Sequence, residues 1–174
     1  RTTLQTSPSE LVGATAFFNQ YASNLGLSNQ TEMKAVLSSK DKFGYSHYKF
    51  QQFFRGIEVL GANYLLHEKD GQVLNGNGVI MPEREIDLQP SLSETEASQI
   101  AVQNAEGESG QMEVYSIKLA IVNSHYPEFD GEFELAYVLT LNSISDQHDS
   151  RKIILNAHTG NIIRNYTLTM TCFQ

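Results

Sequence analysis

The chain has no tryptophan, one cysteine and only 4 prolines among 174 residues. With the single thiol of Cys172, no internal disulfide is available to staple the fold, and cysteine usage does not reveal the compartment. Basic residues are scarce as well: 12 Lys and Arg stand against 20 Asp and Glu, a formal net charge of −8. That balance argues against a nucleic-acid partner, because a basic face supplies most of such affinity. No apolar run approaches the ~18 residues that a membrane-spanning helix needs, so no membrane partner is expected. No signal peptide is visible and the chain starts at Arg1, as expected of a processed or excised piece.

Catalytic signatures are missing too. His67-Glu68 opens like the His-Glu-x-x-His of zinc proteases, but Gly71 stands where the second histidine belongs, and Asp70-Gly71 is a turn. His47, His125, His148 and His158 show no metal-ligand spacing, and the acidic stretch Asp146–Asp149 reads as a solvated loop. There is no Gly-x-Ser-x-Gly elbow and no glycine-rich phosphate loop between a strand and a helix. Glu132 and Glu134 share a strand face with nothing to separate their pKa values. No catalysis, metal or cofactor is therefore expected. Two glycosylation-type tripeptides, at Asn29 and Asn165, are of a kind that arises often by chance.

What is present is a globular composition, 40% apolar or aromatic, arranged twice in the same order. Ser7-Pro8-Ser9-Glu10 opens a helix with a capping box, and Leu11, Ala14, Phe18, Tyr21 and Leu25 give it one apolar stripe up to Gly26. A strand at Met33–Ser39 follows, then a meander to Met81. Within it, alternating large side chains reach Arg55-Gly56, a second run from Ile57 to His67 reaches the hairpin signal Asp70-Gly71, and a third run starts at Gln72. The polar, proline-bounded segment Pro82 to Pro90 reads as a linker. Ser93 and Glu96 repeat the capping box before a helix marked by Ala97, Ile100, Ala101 and Ala105, which the Gly107–Gly110 stretch breaks. Strands are expected at Met112–Asn123, Glu132–Leu141, Lys152–Asn156 and Asn161–Leu168, the last two joined by a turn at His158-Thr159-Gly160. The fold class is α+β: two small domains, each a helix packed on an antiparallel sheet of about four strands. The expected bounds are 1–82, the linker 83–91, 92–168, and a tail 169–174.

The stretch Tyr48–Ala62 follows, nearly unbroken, the wording aromatic-x-x-Gln-x-aromatic-x-Gly-Ile-x-Val-x-Gly-Ala. In this it resembles the fungalysin/thermolysin propeptide (FTP) motif. The second unit, with Glu96-Ala97 to Ala101, a late strand Ala136–Leu141 and a final hairpin through Thr159-Gly160, resembles a PepSY domain, with Asn156 where that family has Asp. An FTP-like unit followed by a PepSY-like unit is the layout of the pro-region of thermolysin-like zinc metalloproteases.

The resemblance implies a non-catalytic, secreted or periplasmic propeptide. Its partner would be the cognate zinc metalloprotease catalytic domain, which it would inhibit and help to fold. Tyr48, Gln51, Gln52 and Arg55 are the candidates for a protease-facing surface, and for Gln52 and Arg55 contact and structure weigh equally. Phe50, Gly56, Val59, Gly61, Asp70, Gly71, Thr159 and Gly160 are expected to be structural. Thr171, Cys172, Phe173 and Gln174 would form the tail that enters the protease cleft. The rival is a free-standing extracellular inhibitor or binding module, which a stop codon after Gln174 favours and a downstream His-Glu-x-x-His disfavours.

Overall fold

A computed structural model describes residues 8–105, 111–145 and 149–169. Among these residues the fold is α+β, with two helices and antiparallel strands. The chain divides into two compact units, Arg1–Glu85 and Ile86–Gln174, so the division falls inside the segment 83–91. Backbone hydrogen bonds fix its first residue and the residue just after it. Glu83 N–H donates to the carbonyl of Gly26 at 3.0 Å, and Leu92 N–H donates to that of Ala157 at 3.0 Å.

In the first unit, α1 (Pro8–Tyr21) precedes β1 (Thr31–Lys40), β2 (Ser46–Phe54), β3 (Ile57–Lys69) and β4 (Gln72–Gly78). Each strand pairs antiparallel with the next, which leaves β1 at one edge of this meander. Alternation directs Tyr48, Phe50 and Leu66 to the helix side, where Ala14 and Phe18 complete a buried cluster. Phe18 meets Phe50 edge-on at 4.8 Å and Tyr64 at 5.7 Å, geometries the ring quadrupoles favour. The helix stripe is wider than the spacing implied: Phe17 also packs on the cluster, whereas Tyr21 is 41% exposed and lies over Phe17 at 4.7 Å. The expected cap at Ser7 lies outside the described residues.

In the second unit, α2 (Glu94–Ala105) precedes β5 (Met112–Asn123), β6 (Phe133–Ser143), β7 (Asp149–Asn156) and β8 (Ile162–Thr169), again paired in sequence order. The capping box forms: Ser93 N–H and Oγ–H each donate to Glu96 Oε2 at 2.8 Å, and Glu96 N–H donates back to Ser93 Oγ at 3.3 Å. These bonds from Ser93 hold the Glu96 carboxyl below its ordinary pKa. The buried stripe of α2 is Ala97, Ala101 and Ala105, small side chains that let the helix lie close to the sheet. Leu135 to Leu139 are buried without a break, as befits a central strand. The Tyr137 hydroxyl donates to Leu92 O at 2.8 Å; burial, then the charges of Glu94 and Glu96, push its pKa up.

Candidate functional site

The motif hairpin is built around two irregularities. At its tip Arg55 (φ 48°) and Gly56 both take left-handed backbone, as a two-residue hairpin turn requires. Asp70 (φ 51°) and Gly71 repeat the device between β3 and β4. Asn and Gly fit such a position at little cost, whereas arginine is held there against a steric penalty. Its guanidinium Nε donates to Gln30 Oε1 at 2.7 Å, its backbone N–H donates to Gln30 O at 2.8 Å, and its exposed side chain lies over Phe54.

Behind the tip, β3 carries a wide bulge. Between the pairs Gln51↔Asn63 and Phe53↔Glu58, two steps along β2 face five along β3. Gly61, at φ 81°, supplies the left-handed residue that such a bulge needs. A bulge leaves carbonyls without ladder partners, and a buried orphan carbonyl is costly. Gln51 answers this: its side-chain amide donates to Val59 O at 2.6 Å, Ala62 O at 3.1 Å and Gln52 O at 3.2 Å. Gln52 does the same for the segment that follows β4. Its Nε2 donates to Met81 O and its Oε1 accepts from Met81 N–H, both at 2.8 Å. The side-chain amide thus forms a two-bond bridge where a peptide group would otherwise sit.

This changes the expected contact surface. Tyr48 and Gln52 are fully buried and Gln51 is 8% exposed, so these three do not form an outward-facing patch with Arg55. The glutamines face inward because backbone groups of the bulge and of Met81 require partners. Among the four, only Arg55 lies at the surface. Phe50 and Val59 are fully buried core residues. The tail positions Thr171, Cys172, Phe173 and Gln174 lie outside the described residues.

In the second unit, the turn after β7 is organised by Asn156. Its Oδ1 accepts from His158 N–H and Thr159 N–H, both at 2.8 Å, and its Nδ2 donates to Glu134 Oε2 at 2.6 Å. Aspartate would serve the two backbone donors equally well but would have nothing to give Glu134. Gly160 takes φ 76°, and a Cβ there would lie 2.9 Å from Ile100 Cδ1. Thr159 Oγ1 accepts from Asn161 N–H at 3.3 Å.

One further pairing carries no local signal in the sequence: His47 lies directly across from His67. Counting back from the Arg55-Gly56 turn without the bulge would place Tyr64 there instead. Among the described residues, no three His, Cys, Asp or Glu side chains gather in a way that could hold a metal ion. No helix among them is long and apolar enough to cross a membrane.

Residues 31–78 match the family model of the Fungalysin/Thermolysin Propeptide Motif. The motif therefore covers all four strands of the first unit, from the start of β1 to the end of β4. A stretch of 102 residues is 31% identical to thermolysin of Alicyclobacillus acidocaldarius subsp. acidocaldarius, covering 58% of this chain and 17% of that protein. The same figures hold for thermolysin of Bacillus caldolyticus. The chain thus spans about a sixth of the length of these relatives. These matches support the resemblance to a thermolysin-like pro-region. Among solved structures, the Bacillus megaterium YpeB C-terminal domain aligns at a TM-score of 0.46 and 16% identity, over 97% of this chain and 68% of that one.

Proposed function

We propose that this chain is the pro-region of a secreted thermolysin-like zinc metalloprotease, with a PepSY-like second unit, and that it performs no chemistry itself. The observation that carries this reading is the propeptide motif over residues 31–78, supported by the stretch shared with thermolysins. As an inhibitor, the chain docks on the catalytic domain and its tail, Thr171 to Gln174, occupies the substrate cleft. As a folding helper, it binds the enzyme near its folding transition state. Secreted proteases often depend on a high unfolding barrier, and a segment that lowers the barrier to entry and is later removed leaves the enzyme trapped in its native state. A covalent tether raises the effective concentration to roughly millimolar, so modest contacts suffice while the two remain joined. Arg55 is the motif residue positioned to touch the enzyme, and the buried glutamines act by holding its hairpin in shape.

The test uses the isolated chain in trans against its cognate protease, with both partners shown to be folded. Inhibition, and faster recovery of activity when the denatured protease is refolded with the chain present, are the expected results. Neither effect at high micromolar concentration would sink the proposal.

A further inference from the structure

The connection between β1 and β2 and the far end of the β2–β3 hairpin meet at a pair of imidazoles. His47 Nδ1 and His67 Nδ1 lie 2.7 Å apart, with the rings steeply inclined at 77°. Two facing nitrogens at that distance share one proton, one ring donating and the other accepting. Which does which follows from the other side of His47. Its Nε2 faces Asp41 Oδ2 at 3.4 Å, and a carboxylate only accepts. Asp41 is itself fixed, because its Oδ1 accepts from Phe43 N–H and Tyr45 N–H, both at 2.9 Å. His47 therefore carries its proton on Nε2, and its Nδ1 lone pair points at His67.

This is the arrangement that prepares a histidine to ligate a metal: a carboxylate on one ring nitrogen fixes the tautomer and raises the basicity of the other. The pair opens into a hollow of about 340 Å³ lined by Tyr45, Leu74, Asn75, Gly76 and Asn77 besides the two histidines. Liquid water occupies about 30 Å³ per molecule, so the hollow has room for an ion and its remaining waters. Across the sheet, His67 pairs in turn with Asn75, which puts a side-chain amide next in the same row. Tyr48 and Leu66, one position along each strand, face the opposite, helix-covered side, so an ion here does not enter the core.

We propose that His47 and His67 form a two-imidazole site for a borderline divalent transition ion of the Zn²⁺ or Ni²⁺ type. Asp41 is the orienting group, and water, with the amide oxygen of Asn75, fills the other positions. Imidazole suits these ions, whereas Mg²⁺ and Ca²⁺ demand oxygen ligands. Metal–nitrogen bonds of about 2.0–2.1 Å place two ligating nitrogens roughly 3.3 Å apart around a tetrahedral ion. A small opening of the pair, by side-chain rotation, meets that geometry. The proton on His67 Nδ1 moves to its Nε2 through solvent, so that both Nδ1 lone pairs face the ion.

The experiment titrates the full chain with ZnCl₂ and NiCl₂ by calorimetry, with MgCl₂ as control, and follows the imidazole ¹⁵N resonances. One saturable equivalent of Zn²⁺ or Ni²⁺, none of Mg²⁺, and shifts confined to Nδ1 of His47 and His67 are expected. His47→Ala and His67→Gln should each weaken binding at least tenfold. Asp41→Asn, which keeps the acceptor for Phe43 and Tyr45 but removes the charge facing Nε2, should weaken it about tenfold. His125→Ala, at the surface pair with Asp130, should leave it unchanged. The site is refuted by an absence of saturable binding at millimolar metal. It is equally refuted if the shifts fall on other histidines, or if His125→Ala alone abolishes binding. The resonance readout needs no variant to fold.

Discussion

Single side chains in this protein do work usually left to the backbone. Gln52 completes both hydrogen bonds of Met81 at a site where neither residue reaches solvent. Gln52→Leu keeps a comparable size but leaves a buried N–H and C=O without partners. The expected loss is about 1–3 kcal/mol, read from the urea midpoint at unchanged slope. Asn156 is the counterpart in the second unit, accepting from two backbone donors while giving a hydrogen bond to Glu134. Asn156→Asp would set two carboxylates side by side, so one of them would hold its proton above the usual range. A raised carboxyl pKa in the folded state stabilises at low pH and loses that contribution as pH rises through the shifted value. The variant should therefore be clearly less stable than the parent at pH 7 and approach it near pH 4, in thermal melts across that range. A variant equally stable at pH 7 would mean that the Glu134 bond is immaterial.

The capping box of α2 has its own pH signature. Glu96 has a depressed pKa when folded, so its contribution is present above the ordinary glutamate range and is lost as pH falls through the folded value. Glu96→Gln retains an acceptor for Ser93 but not a titrating one. The helix should then lose the acid-dependent part of its stability, which circular dichroism would show as a flatter pH profile. Elements of this kind were legible in the sequence because their signals are local. Ser93 and Glu96 announce a helix start, and Asp70-Gly71 and Arg55-Gly56 announce hairpins. Both the helix and the hairpins are present in the structure. A bulge or tight crossing at Gly61 is legible in the sequence, but the burial of both glutamines is not, because alternation sends one of the adjacent Gln51 and Gln52 to solvent. Their buried partners are main-chain groups, which carry no mark in the sequence. The same slip hid the His47–His67 pair, since register counted from the turn goes wrong once β3 takes up extra residues. In the second unit, β7 begins at Asp149, ahead of the expected Lys152, because pairing with β6 extends strand geometry into residues whose side chains are polar.

For the molecule as a whole, Arg55 is where stability and the proposed recognition can be tested apart. Replacing it with asparagine, which tolerates a left-handed backbone, should leave the urea midpoint equal or higher even though the bond to Gln30 is lost. If the hairpin tip is where a protease is gripped, the same variant should inhibit more weakly. Unchanged inhibition would confine Arg55 to turn geometry. The connectivity has a wider consequence. β1 to β4 pair in the order they are made, and so do β5 to β8, so each of these pairings joins strands adjacent in sequence. Such sequence-near pairing closes short loops first and favours rapid collapse. Within each unit, pairing can therefore start during synthesis, each new strand finding the preceding one as soon as it leaves the ribosome.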